Sequence, residues 1–248
     1  MIDIHAHILP GIDDGASNMR QALEMAAMAV ESGVSVMVTT PHSAAFGRQK
    51  NLWGQEMIQA VLDLRKALEK ARIPLMVYPG MEIFGTMEVP GMLDDGLFIG
   101  LNGSRYPLVE FDFYDYAEQA TLILEMILEQ GKKPIVAHPE RYKYVQEDPT
   151  LLNLWVEMGC LLQVNKGSLL GRFGRREEQL ALALVERRFA HAVASDAHSP
   201  LMRTTWMKEV EKLLKTEFSE QTAQRLLETN PLQLLRNEEI RWQEPDWF

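Results

Sequence analysis

The chain has 248 residues, 46% of them apolar, which is enough for a large core in one α/β domain. A formal charge of −10 argues against nucleic acid as the main partner, and a single cysteine excludes an internal disulfide or a four-thiolate zinc site. The opening residues carry no basic region, and no stretch approaches the ~18 apolar residues of a membrane span, so no membrane insertion and a cytoplasmic location are expected.

Short β-rich runs alternate with helical patterns along the chain. The run 2–5 ends on His5, with His7 two residues on. A helical stretch at 18–31 carries Leu23, Met25, Ala26 and Val30 and stops before Gly33, a C-cap signal. The run 34–40 leads to His42, and a helical pattern follows at 54–71. The run 74–83 holds Glu82, and the run 106–111 holds Glu110. A helix is expected over 117–130, before Gly131. The run 133–138 ends on His138, the run 160–165 contains Cys160 and Asn165, and the run 190–196 ends on Asp196, just before His198. Helical patterns at 149–158, 175–188 and about 204–229 complete the alternation. The tail 237–248, with Trp242, Trp247 and Phe248, is expected to be peripheral.

Seven strand-like runs with helical crossovers predict one α/β domain over 1–248 with a parallel sheet. A closed or distorted barrel of seven β/α units accounts for the count, and an open doubly wound sheet is the rival. In either arrangement the carboxyl ends of the strands converge on one face. Five of the six histidines, His5, His7, His42, His138 and His198, fall at or just past strand ends. Glu82, Glu110 and Asp196 lie at matching places, and Asp14 is in the loop after His7. His5 and His7, and again Asp196 and His198, are two apart, so each pair can share one face of a strand. Imidazole nitrogen with carboxylate oxygen suits Mn, Fe or Zn. Each residue alone also has a structural reading, but one metal cluster explains all nine. An unpaired carboxylate in a buried strand is costly, which a cation at Glu82 and Glu110 would relieve. Cys160 and His191 are read as structural.

The opening from Asp3 to Ala16, Asp-Ile-His-Ala-His-Ile-Leu-Pro-Gly-Ile-Asp-Asp-Gly-Ala, resembles that of the polymerase-and-histidinol-phosphatase (PHP) superfamily. Further matches run in order: Thr40-Pro41-His42, Gly80 to Ile83, Val109 to Phe111, Ala137 to Arg141, Gln163 to Asn165, Gly167 to Gly171, Ala194 to His198, and Asn230-Pro231. Within the superfamily the chain is similar to the bacterial manganese-dependent protein-tyrosine phosphatases of capsule and exopolysaccharide loci. The resemblance implies a distorted (β/α)7 barrel with a trinuclear site at the strand ends. It implies His5, His7, Asp14, His42, Glu82, Glu110, His138, Asp196 and His198 as ligands to three divalent ions, manganese first, iron or zinc otherwise. Arg141 and Arg203 resemble the arginines that hold the phosphate. The loop after His198 departs from the family pattern, and so does the loop Ser43 to Lys50, which would rim the site and bear on substrate preference.

The function so implied is hydrolysis of phosphotyrosine on a protein partner, a bacterial tyrosine kinase controlling polysaccharide export, by hydroxide drawn from metal-held water. Asp196 or His198 could pass a proton to the leaving oxygen, in competition with metal ligation. The alternatives are a PHP esterase for a small phosphate such as histidinol phosphate, and a non-catalytic metal-binding regulatory module. A protein substrate would require an open, shallow site.

Overall fold

Apolar side chains on both faces commit the strand-like runs to a helix-covered parallel sheet. The computed structural model describes residues 1–43, 51–114, 116–240 and 244–248. The strands are β1 (Ile2–Ala6), β2 (Val36–Thr39), β3 (Met76–Pro79), β4 (Glu82–Phe84), β5 (Leu108–Glu110), β6 (Ile135–Ala137), β7 (Leu161–Asn165) and β8 (Ala192–Ala194). They form two parallel sheets, ordered β1-β2-β3 and β4-β5-β6-β7-β8.

Two seams join the sheets. At one, His42 bridges to Glu82, with Ser43 N donating to Glu82 O (2.8 Å) and Glu82 N to Pro41 O (3.1 Å). At the other, Ala6 bridges to Ala197, with Asp196 N donating to His5 O (2.9 Å) and His7 N to Ala197 O (2.8 Å). The strands β1, β2 and β4 to β8 therefore make a ring of seven, a distorted barrel whose ladder is interrupted at both seams.

The third sequence run is split into β3 and β4. At the break stands Gly80, where a β-carbon would lie 2.8 Å from Val38 Cγ1, so glycine lets the backbone pass close to β2 at that point. β3 pairs with β2 itself, and β4 with the residues that continue it.

Alternation along the strands separates floor from mouth. Leu108, Leu161, Ala192 and Ala194 belong to an apolar cluster inside the ring, together with Ile2, Ile4, Val36, Val38 and Ile135. Two residues beyond Leu108, Leu161 and Ala194 stand Glu110 and Gln163, still on their strands, and Asp196, just past β8. In β1 the register with β2 slips between Asp3 and Ala6. A bulge of this kind re-aims side chains, so Ile4 can fill the floor while His5 and His7 reach the mouth.

Amphipathic helices cover the outside. Met19–Glu31 is capped by Asn18, whose side chain accepts from Gln21 N (3.1 Å), and it buries Ala22, Met25, Ala26 and Ala29. The helical region expected at 204–229 starts later and is broken. Lys208–Leu213 and Leu214–Phe218 precede an extended Ser219, whose Oγ caps the next helix at Thr222 N (3.0 Å). Helix then runs on to Leu235. Residues 204–207 are held outside helix by Thr205 Oγ1 donating to Met25 O (2.6 Å) and Met207 N to Ser32 Oγ (3.1 Å).

The end of the tail packs on the exterior, with the Trp247 and Phe248 rings 5.8 and 4.9 Å from Phe189. Trp242 lies outside the described residues. Cys160 is buried, which pushes its thiol up to about 12. His191 is also buried: its Nδ1 accepts from Leu162 N (3.1 Å), and burial together with Arg225 lowers it to about 4. Among the described residues no helix is long and apolar enough to cross a membrane.

Candidate metal centre

The mouth of the ring gathers all nine of the candidate ligands. β1 and the residue beyond it bring His5 and His7, the continuation of β2 brings His42, and β4 and β5 bring Glu82 and Glu110. His138 and Asp196 follow β6 and β8, both with positive φ (+33° and +49°), in a backbone region that aims them inward at a cost in strain. Their donor atoms form four overlapping groups, each within 4.8 Å: His7, Asp14, His42 and His198; His5, His7 and Asp196; His5, Glu82 and His138; His42, Glu82 and Glu110.

Glu82 is the hub. Its Oε1 lies 3.1 Å from Nε2 of both His5 and His138, and its Oε2 lies 3.1 Å from His7 Nε2 and 3.0 Å from His42 Nδ1. Asp196 Oδ1 stands 3.6, 3.5 and 3.5 Å from nitrogens of His5, His7 and His198. Glu110 approaches His138 (3.5 Å) and His42 (3.7 Å), and Asp14 approaches His42 (3.6 Å) and His198 (3.5 Å).

The outward nitrogens decide what this cluster can hold. His5 Nδ1 meets Gln163 Oε1 (2.9 Å), His7 Nδ1 meets Asp13 Oδ2 (2.7 Å), and His198 Nδ1 meets the Asp196 carbonyl (3.1 Å). Each of those oxygens accepts, so each Nδ1 carries the proton and each Nε2 is left with a lone pair. Yet Nε2 of His5 and His7 are 3.3 Å apart and face the carboxylates of Glu82 and Asp196. Glu82 Oε2, Asp196 Oδ1 and His198 Nε2 are buried with no hydrogen-bond partner among the described residues. Acceptors packed against acceptors need cations between them, and nitrogen with carboxylate donors suits divalent Mn, Fe or Zn.

With protons as the only cations the cluster is electrostatically divided. Burial opposes charge on Glu82, but His5 and His42 outweigh it and hold Glu82 well below the usual range. Burial, then Glu82 and Asp196, hold Glu110 well above it. Burial also disfavours charge on His7, but Asp13 and the other carboxylates keep it well above the ordinary value. His138 falls to about 4 through burial, and His198 to about 2 through burial and His7.

Arg141 and Arg203 converge on the other oxygen of Asp196. Arg141 Nη1 donates to Oδ2 at 3.3 Å, Arg203 Nη2 contacts the same atom, and Asn165 Nδ2 donates to it at 2.6 Å. The Arg141 guanidinium lies 4.6 Å from the centre of the Phe113 ring and 4.7 Å from that of Phe173. Asp196 thus divides its two oxygens between the arginines and the imidazoles.

Several supporting residues lie inside the matched motifs without a role assigned from the sequence. The Asp13 side chain is buried and binds both His7 and the His42 backbone N–H (2.9 Å), whereas the side chain of its neighbour Asp14 is 57% exposed and faces the cluster only from the rim. Gly15 closes this loop where no side chain fits, since a β-carbon there would lie 2.0 Å from His7 O. Gln163 carried a readable signal, a polar residue inside the buried strand Leu161–Asn165. Ser43 is described, its Oγ accepting from Phe84 N (3.0 Å), but the rest of the Ser43 to Lys50 loop lies outside the described residues.

The family model for CpsB/CapC, capsular polysaccharide synthesis, matches residues 1–236. The chain is 40% identical to the tyrosine-protein phosphatase YwqE of Bacillus subtilis (strain 168), over 99% of this chain and 95% of that protein. It is 32% identical to the putative tyrosine-protein phosphatase CapC of Staphylococcus aureus, over 89% and 86%. A chain from the crystal structures of YwqE from Bacillus subtilis and CpsB from Streptococcus pneumoniae, described as unique metal-dependent tyrosine phosphatases, superposes with TM-score 0.94 at 38% identity, covering 100% of this chain and 99% of that one. The phosphotriesterase of Mycobacterium tuberculosis shares the fold alone, with TM-score 0.62 at 10% identity over 95% and 94%.

Proposed function

The chain belongs to the CpsB/CapC capsular polysaccharide synthesis family, and on that premise we propose that it is a metal-dependent protein-tyrosine phosphatase acting on a tyrosine kinase of capsule or exopolysaccharide synthesis. The observation that carries this reading is the set of Nε2 lone pairs and buried carboxylate oxygens that face one another at the strand ends. His5, His7, Asp14, His42, Glu82, Glu110, His138, Asp196 and His198 would hold about three divalent ions, manganese foremost. Ions bound there would supply positive charge to a phosphate and would bring the pKa of water towards neutrality, in a chain whose formal charge is otherwise −10.

The protein's own groups complete the chemistry. Arg141 offers two parallel N–H donors to phosphate oxygens, a geometry that lysine lacks, and its planar guanidinium lies over the Phe113 and Phe173 rings, which restrict where the fork can point. Arg203 meets the same Asp196 oxygen as Arg141. Both arginines neutralise oxygen charge as the ester bond breaks. Asp196 and His198 serve ion binding rather than proton transfer, because a phenolate leaving group, with a pKa near ~10, departs without strong acid assistance.

The rim favours a polypeptide over a small ester. Tyr114 (77% exposed) follows Phe113, while Leu201 and Met202 (88% and 77%) precede Arg203. Apolar side chains held in solvent beside the arginines suit the residues flanking a phosphotyrosine. The test is to strip the metals, restore manganese, iron, zinc or magnesium singly, and compare phosphate release from a phosphotyrosyl peptide and from histidinol phosphate. Manganese-dependent release from the peptide, lost in Arg141→Ala, is expected. Preference for histidinol phosphate would move the chain to small-ester chemistry, and no release with ions bound would make it a non-catalytic module.

A further inference from the structure

The segment Gln163 to Gly171 stands out in the sequence, yet none of its residues enters the cluster of candidate ligands. Its most unusual member is Lys166, a lysine 1% exposed at the mouth end of β7. Lysine is almost never fully buried unless paired, because its ammonium must find replacements for water. Here Nζ donates to two backbone carbonyls, Thr204 O and Trp206 O (2.9 Å to the latter). Both acceptors belong to the segment that begins at Arg203.

The surroundings leave Lys166 little freedom. Asn165 Oδ1 accepts from Gly167 N (2.8 Å), and Glu140 Oε1 accepts from Asn165 N (2.9 Å) and Ser168 Oγ (2.7 Å). The backbone around Lys166 is thus tied to the Glu140-Arg141 corner on one side, and its ammonium to the Arg203 segment on the other. Arg203 needs such support. Its φ is +50°, a conformation disfavoured for a side-chain-bearing residue, and its guanidinium must sit at Asp196 Oδ2.

We propose that Lys166 is a positioning residue for Arg203: its ammonium, bonded to the carbonyls of Thr204 and Trp206, holds the segment so that the guanidinium stays on the phosphate side of Asp196. This rests on the reading of Arg203 as a phosphate-binding group. The competing possibility is that other anchors suffice. Thr205 is tied to Met25 O in the helix Met19–Glu31, Met207 to Ser32 at that helix's C-cap, and His198 N donates to Arg203 O (2.8 Å).

The experiment is a double-mutant cycle on the metal-loaded protein, read by calorimetric binding of inorganic phosphate, with metal content measured for every variant. It compares wild type, Lys166→Met, Arg203→Ala and the double variant. Lys166→Met is expected to weaken phosphate binding about tenfold at unchanged metal content, and to have no further effect once Arg203 is gone. Wild-type affinity in Lys166→Met, loss of metal from it, or an equal loss with and without Arg203 would overturn the proposal. Unchanged phosphate affinity in Arg203→Ala alone would remove the premise and the proposal together, without bearing on which ester is hydrolysed. If Lys166→Met does not fold, Lys166→Gln, which keeps an amide donor without the charge, is carried through the same cycle under the same criteria.

Discussion

The Asp13 carboxylate lies 2.7 Å from His7 Nδ1 and also accepts the His42 backbone N–H, so one buried acid orients two imidazole-bearing segments. Because a carboxylate only accepts, the contact places the His7 proton on Nδ1 and turns the Nε2 lone pair into the cluster. Asp14, one residue on, has the opposite character: it is exposed and reaches His42 and His198 from the rim.

Asp13→Ala should therefore weaken metal binding about 10- to 100-fold while leaving the fold intact, the loss typical when an imidazole ligand's outer partner is removed. Competition with a fluorescent chelator measures this. An affinity unchanged from wild type would show that His7 is oriented by packing alone.

Arg141→Lys should fail to rescue activity. The guanidinium lies over the Phe113 and Phe173 rings and offers a fork to phosphate, and an ammonium, lacking a plane, can neither stack nor bind two oxygens in that geometry. A fall of about 100-fold in kcat/KM is expected for both Arg141→Lys and Arg141→Ala, from the loss of a bidentate charged contact. Activity near wild type in the lysine variant would mean that only the charge matters.

The exposed rim makes a different prediction. Leu201→Ser with Met202→Ser should lower kcat/KM for a phosphotyrosyl protein by about three- to tenfold while leaving free phosphotyrosine unaffected, because apolar contacts of this size contribute on the order of 1 kcal/mol. Equal losses on both substrates would place these side chains in the phosphate site itself.

His191 sets an acid limit on stability, well away from the cluster. Burial and then Arg225 hold it at about 4 in the folded chain, against 6.5 when unfolded. Between these values the unfolded state binds a proton that the folded state does not, so stability falls as pH drops from about 6.5 towards about 4. The full effect is up to roughly 3 kcal/mol. His191→Asn, which keeps an acceptor for Leu162 N, should flatten the dependence in that window. Urea unfolding of the metal-free protein at several pH values tests this, and identical slopes in the two proteins would refute it.

The strand ends were the most legible part of this sequence. Parallel strands buried on both faces must be nearly all apolar, so a histidine or acid that closes such a run is conspicuous, as His5, His138 and Asp196 are; Glu82 is expected near the end of the third run but instead opens β4, beyond the break at Gly80. The split at Gly80 was not legible, since it depends on how near Val38 comes to the backbone. Neither was the difference between Asp13 and Asp14, which differ only in the direction a loop takes after Gly11. The interruption at Ser219 was missed for another reason. Apolar periodicity continues across it, and the break is marked only by the extended serine, whose Oγ caps the following helix at Thr222 N. Nothing in the sequence around Lys166 marks it as buried, because its burial depends on carbonyls about forty residues away.

The central claim is that the facing lone pairs and carboxylates at the strand ends are a polynuclear cation site. Its most direct test is metal content by mass spectrometry on the purified protein, reloaded with manganese and freed of excess, beside His5→Ala and Glu82→Ala variants. The account predicts about three ions per wild-type chain and a clear loss in both variants, since Glu82 touches four imidazoles at once. Fewer than about two ions in a folded wild-type chain would contradict it, because the acceptor-to-acceptor contacts would then have no cation to hold them.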